Sequence, residues 1–312
     1  MRLIDVIRGP SRPTQVQLRH RRRRAGALVA VAAGALLLGL IAGAGGGGPA
    51  AVGDAAAPVG WYGHLQTLAG AGRRSLGAEE RALEGGAIDR ALQRTPFVRM
   101  AGAQHRLVAL TFDDGPSPYT DRLIAELQRL GVPATFFVVG YQLPTFAPQL
   151  QHEVAAGMTV GDHTLDHPNL TQLSPADQQH QIVGDAAEIR SYGAPYPRLF
   201  RPPYGSYDQT THALLARRRM LSVLWSVDSE DYTKPGADAI VHNVVGAVQP
   251  GSIVLMHDGG GDRSETLAAV PRIVAELRRQ GYGFASVPHL LLENPPPLTQ
   301  EIPPGFNPAG AG

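Results

Sequence analysis

The sequence predicts an α/β fold, a closed (β/α) barrel of regular or irregular outline, over residues 105–292. Three observations carry this. Short apolar, β-branched runs alternate with segments of helical periodicity, which specifies a parallel sheet covered on both faces. Six or seven such units follow one another, which favours closure over an open sheet. The residues able to do chemistry fall at the C-terminal ends of the strands, the rim where barrels of this kind keep their sites.

In chain order, "RLVALTF" from Arg106 reads as the first strand, and Tyr119 to Leu130 as an amphipathic helix stopped by Gly131. "ATFFVV" from Ala134 is the second strand, with a helix around Ala147 to Ala156. "MTVG" from Met158 follows, then a helix opened by Ser174 with Pro175 in its first turn. "RLFRPPYG" is the next strand, followed by a helix around Gln209 to Arg218 and the strand "MLSVLWSV". Ala237 to Val248 precedes "GSIVLMH", and Thr266 to Gln280, stopped by Gly281, precedes "GFASV".

Residues outside this domain read differently. "RHRRRR" ends at Arg24, and no charge occurs from Ala25 to Gly48. About 20 apolar residues span a bilayer as a helix, so residues 25–44 are expected to form a transmembrane signal anchor. The Arg cluster in residues 1–24 would stay cytoplasmic and the rest would lie outside, at the cell membrane. Cleavage after a signal peptide, giving a secreted protein, is the alternative. Residues 45–104 read as a linker or stalk with a short helix near Ala78 to Leu92, and the Pro/Gly-rich residues 293–312 as a disordered tail.

Composition excludes several classes. A net charge of +1 gives no general affinity for nucleic acid, and no protein partner is expected. With no cysteine, thiol catalysis, disulfides and Cys-type zinc sites are ruled out, so any metal must be held by His, Asp or Glu.

Five strand ends carry acids, bases or an Arg: Asp113 and Asp114, then "GDHTLDH" from Gly161, "RPPYG", Asp228 to Tyr232, and His257-Asp258. His163 and His167 are four apart, on one face of a turn that Pro168 cuts short. With a carboxylate from a neighbouring strand end they make a two-His-one-carboxylate set with room for water, and zinc is the expected ion. One of Asp113 and Asp114 can join that set while the other accepts a proton from the activated water. After two prolines, the first available N–H is that of Tyr204, suited to an oxyanion. Arg201 needs an anionic partner, for which Asp113 is the candidate.

In this order, "TFDDGP", "HTLDH", "RPPYG", "DSEDY" and "VLMHD" resemble the five motifs of the NodB-like polysaccharide deacetylases, carbohydrate esterase family four. The resemblance covers roughly Leu107 to Leu292 and implies a distorted, TIM-like (β/α) barrel. It implies Asp113 as general base, Asp114, His163 and His167 as ligands of a divalent metal (Zn2+, or Co2+), and Arg201 as the tether of Asp113. It further implies that the Tyr204 amide holds the oxyanion, that Asp231 orients the general acid His257, and that Leu255 lines an acetyl pocket. Tyr204, Tyr232 and Leu255 would contact substrate.

Four positions depart from the family pattern: Tyr232 where Trp is common, Val254 where Leu is usual, Asp162 where Asn is usual, and the extra acid Asp166. The expected activity is hydrolysis of N-acetyl groups on an aminosugar polymer of the cell wall, peptidoglycan or a chitin-like glycan. Hydrolysis of O-acetyl esters on xylan and a non-catalytic, membrane-tethered glycan-binding role are the alternatives.

Overall fold

The computed structural model describes residue 79 and residues 81–301. The expected membrane segment 25–44 lies outside them; among the described residues no helix is long and apolar enough to cross a membrane.

The first half of the domain runs through helix α1 (81–92), β1 (Phe97–Val98), β2 (Leu107–Gly115), α2 (Thr120–Leu130), β3 (Thr135–Val138), α3 (Leu143–Ala155), β4 (Thr159–Asp162) and α4 (Pro175–Ser191). The second half comprises β5 (Leu199–Phe200), α5 (Gln209–Arg218), β6 (Leu221–Val223), β7 (Val227–Asp228), α6 (Ala237–Ala247), β8 (Ile253–His257), α7 (Ser264–Arg279), β9 (Gly283–Phe284) and α8 (Val287–Glu293). All strand pairs are parallel, in the order β1-β6-β5-β4-β3-β2-β8-β7, with β9 against the start of β2.

The alternation of β2 sorts the core into two layers, because successive strand residues point to opposite faces. Val108, Leu110 and Phe112 face outward into a cluster with Leu123 and Leu127 of α2, Ile240 of α6 and Ile273 of α7. Ala109 faces inward with Phe137, Leu199, Leu221, Val223 and Ile253. Thr111 and Asp113 continue that inner face toward the strand ends, so the polar site stands on an apolar floor.

The strands form a parallel half-barrel, which agrees with the distorted (β/α) barrel expected and falls short of full closure. "MLSVLWSV" was read as one strand, but it is two. Residue 224 still follows β6, its N–H donating to Val98 O, whereas the Ser226 N–H donates to Ile253 O beside β8. β6 and β7 are therefore joined without pairing, and β1 lies along the outer edge of β6. β5 is two residues long because Pro202 and Pro203 have no N–H to extend the ladder. The helix expected from Ala147 begins four residues earlier, at Leu143 with Pro144 in its first turn, and departs from helical geometry at Phe146.

Residues on both sides of 105–292 pack against the domain. Ala87, Ile88 and Ala91 of α1 and Val98 of β1 pack into the inner core, with Leu290 and Leu291 of α8. The beginning of the expected tail is strapped to the same segment. The buried Asn294 side chain bonds both the N–H and the carbonyl of His105, at 2.8 and 2.9 Å. The Gln300 side chain likewise accepts from Arg99 N and Met100 N and donates to Met100 O.

Candidate active site

In a regular strand, Asp113 and Asp114 would point to opposite faces. The chain avoids this with a bulge. β2 pairs with β3 through Asp113↔Phe137 and resumes at Gly115↔Val138, leaving Asp114 as the extra residue, at φ 70°. An aspartate tolerates this left-handed conformation better than most residues. The bulge turns its carboxylate toward the same space as that of Asp113. The loop after β8 holds the bulge in place, with Asp258 N–H and Gly259 N–H both donating to Asp113 O. Gly259 must be glycine, since a Cβ there would stand 1.9 Å from the Asp114 carbonyl oxygen.

His163 and Arg201 are built together. The His163 Nδ1 lies 2.6 Å from the Arg201 carbonyl, which turns Nε2 toward the two aspartates, 3.7 Å from Asp113 Oδ2 and 3.6 Å from Asp114 Oδ1. Burial, with help from His167, depresses the His163 pKa to about 3, so the ring is neutral and donates from Nδ1. His167, at φ 55°, brings its Nε2 within 3.2 Å of Asp114 Oδ1.

Arg201 is fully buried. Its guanidinium donates to Asp113 Oδ1 (2.7 Å), Thr111 Oγ1 (2.8 Å), Val223 O (3.0 Å) and Leu224 O (3.3 Å). It lies 4.2 Å from the Phe137 ring centroid. Burial pushes the Asp113 carboxyl above its ordinary range, with Arg201 pulling against it.

Across the sheet edge, the register Asp113↔His257 sets the second dyad beside the first. The Asp231 carboxylate accepts from the His257 ring Nδ1 (2.7 Å), the His257 N–H (2.9 Å) and the Thr266 hydroxyl (2.7 Å). Burial alone would lower the His257 pKa, but the bond and charge of Asp231 outweigh it, and the ring titrates above ordinary histidine. Asp231 is held below the usual carboxylate range: burial acts upward, but His257 and Thr266 prevail.

Leu255 is buried two residues before His257 on the same inner face. Tyr232 sets its ring edge-on to His257, with centroids 5.6 Å apart, and Tyr204, at φ 61°, does the same to His167 at 4.8 Å. The predicted residues thus converge on one rim. Asp166 stands apart, tied to α4 by reciprocal 3.0 Å bonds with Gln181.

The residues that could hold a metal ion are Asp114, His163 and His167, whose ligand atoms all lie within 4.8 Å of one another. The donor set fits such an ion. Asp114 Oδ1 is buried without a hydrogen-bond partner, and His163 turns an unprotonated nitrogen toward it.

Sequence reasoning missed the support behind this cluster. Asp185 of α4 accepts from His163 N–H at 3.2 Å and lies against Asp162, whose Oδ1 accepts from Thr164 N–H at 2.9 Å. Burial pushes both carboxyls up, Asp162 to about 8. The available signal was an acid on the buried stripe Gln178, Gln181, Ile182, Asp185, Ala186, Ile189 of an otherwise ordinary helix.

The half-barrel gathers the Asp113–Arg201 and Asp231–His257 pairs beside a two-His-one-carboxylate group, an arrangement suited to hydrolysis. The chain belongs to the polysaccharide deacetylase family, whose model matches residues 101–220. A chitooligosaccharide deacetylase of Bradyrhizobium sp. (strain ANU 289) is 38% identical over 199 residues, 59% of this chain and 90% of that protein. A peptidoglycan-N-acetylglucosamine deacetylase of Bacillus cereus is 35% identical, covering 60% and 88%. The crystal structure of a peptidoglycan N-acetylglucosamine deacetylase in complex with a hydroxamate-type benzamide superposes with a TM-score of 0.62 at 30% identity, covering 64% of this chain and 94% of that one.

Proposed function

We propose that the protein removes N-acetyl groups from aminosugar units of a cell-wall glycan, peptidoglycan or a chitin-like polymer, releasing acetate. The observation that carries this reading is the register Asp113↔His257, which sets an acid–base pair on one inner face beside Asp114, His163 and His167.

Asp114, His163 and His167 would hold the metal, a set that suits Zn2+ with Co2+ as a substitute. A divalent cation bound there supplies Lewis-acid polarisation of the acetyl carbonyl and lowers the pKa of water. The chain's own groups do the rest. Asp113, made more basic by burial and oriented by Arg201, takes the proton of the attacking water. The rigid Pro202–Tyr204 turn offers its amide to the developing oxyanion. His257, held by Asp231 and favouring its protonated form, gives its proton to the leaving nitrogen as the C–N bond breaks. Leu255 supports the acetyl methyl group from the buried side, and Tyr204 and Tyr232 flank the sugar.

The basic residues up to Arg24 and the uncharged run after them support an extracytoplasmic placement of this chemistry, where such glycans lie. O-acetyl ester hydrolysis on xylan uses the same groups but leans less on His257.

The test is mass spectrometry of muropeptides and chitin oligomers after incubation with the full chain and zinc. Loss of acetyl groups from glucosamine units is the expected result. Acetate released only from acetylated xylan would move the protein to the ester reading, and none released from any glycan would refute catalysis.

A further inference from the structure

Among the described residues, five large apolar side chains are exposed: Leu83, Leu298, and the tyrosines Tyr141 (50%), Tyr204 (66%) and Tyr232 (49%). The three tyrosines are not scattered. Each follows a strand on the catalytic rim, β3, β5 and β7 respectively. Tyr204 and Tyr232 stand edge-on to His167 and His257. Tyr141 has no part in the chemistry derived above and belongs to none of the recognised motifs.

Its position is nonetheless fixed relative to the metal-ligating loops. Val139 N–H donates to Gly115 O, next to Asp114, at 2.9 Å. Gly140 N–H and Tyr141 N–H donate to Thr164 O (3.1 Å) and Leu165 O (2.8 Å), the two residues after His163. The backbone at Tyr141 is thus pinned between the Asp114 bulge and the His163–His167 loop. Its phenol lies within the field of the Asp114 carboxylate, which adds to the effect of burial in holding the hydroxyl above its ordinary pKa. Tyrosine supplies a rigid apolar face with a polar tip, at low cost in rotamer entropy. Half-exposed beside a polar cleft, that face matches the apolar face of a pyranose ring.

We propose that Tyr141 is a specificity-determining sugar platform, carrying a hexosamine unit next to the one being deacetylated, on the metal-ligand side. This rests on the deacetylase reading for the identity of the central sugar, but the stacking itself requires only that an oligosaccharide binds. It makes the protein a reader of chain length: a pentamer of β-linked N-acetylglucosamine reaches the platform, and the N-acetylglucosamine monosaccharide leaves it unused.

The experiment is calorimetric binding of the N-acetylglucosamine monosaccharide and the pentamer to the zinc-loaded full chain, for the wild type, Tyr141→Ala and Tyr141→Trp. Metal stoichiometry is measured on the same samples. Tyr141→Ala is expected to weaken pentamer binding about tenfold, the scale of a truncated aromatic anchor, and to abolish most of the pentamer-over-monosaccharide preference. Tyr141→Trp should keep that preference. Equal pentamer affinity in Tyr141→Ala and the wild type overturns the proposal. So does a loss of zinc from Tyr141→Ala, which would make the residue a support of the metal loop. So does a wild type that binds no pentamer. Length-dependent binding without acetate release would keep the platform and refute the deacetylase reading alone.

Discussion

Replacing Arg201 with methionine removes the group on which the general base depends, and the structure sets the size of the effect. The buried guanidinium serves four acceptors: one carboxylate oxygen, one hydroxyl and two backbone carbonyls. Breaking a buried ion pair from one side costs about 3–5 kcal/mol, because the remaining charge is left without compensation. Asp113 can relieve part of this by taking a proton, toward which burial already drives it. The stranded carbonyls of Val223 and Leu224 add about 1–3 kcal/mol for each unmet acceptor, in part the same loss counted twice. A net destabilisation of about 4 kcal/mol follows, or roughly 8–16 °C in Tm at about 2–4 °C per kcal/mol. Urea unfolding of the full chain measures it. Adding Asp113→Asn to Arg201→Met should recover about 2 kcal/mol as coupling energy, since the uncompensated charge is then gone. Arg201→Met within 1 kcal/mol of wild type, or strict additivity of the two changes, would refute the tether.

Three further outcomes follow from the same structure. His257 must be protonated to act as an acid, so activity should fall as pH rises through its elevated pKa. Asp231→Asn removes the raising influence and should move that alkaline limb of the acetate-release profile down by about one unit, whereas an unmoved limb contradicts the dyad. Gly259→Ala forces a Cβ into the Asp114 carbonyl, and displacing the bulge should weaken zinc binding about tenfold by calorimetry. A chain beginning at residue 105 loses Ile88, Ala91 and Val98 from the inner core at about 1.5–3 kcal/mol for each large side chain. It should show no cooperative thermal transition, while a chain beginning at residue 79 should.

The strands were legible because both faces of a parallel sheet are buried, which leaves near-continuous apolar runs such as "RLVALTF". The polar residues at their ends stood out against those runs for the same reason. Three features were not legible. The break between β6 and β7 sits inside an uninterrupted apolar run, and only the partners of residues 224–226 reveal it. α1 was expected as a helix near Ala78 to Leu92, but its place in the core was not legible, because the few apolar residues of an Ala- and Gly-rich segment look like a spacer until the core they complete is present. The bulge at Asp114 has no compositional mark beyond the doubled aspartate itself, because a register shift is a relation between strands and not a property of one.

That doubled aspartate holds the central claim, which is that adjacent carboxylates divide the work, one for the metal and one for the proton. Zinc titration by calorimetry of Asp113→Asn and Asp114→Asn, with acetate release followed on the same samples, tests it directly. The account predicts that Asp113→Asn binds zinc nearly as the wild type does yet releases acetate about a hundredfold or more slowly. Asp114→Asn should lose both zinc affinity and turnover. Wild-type zinc affinity in Asp114→Asn, or full activity in Asp113→Asn, would contradict it.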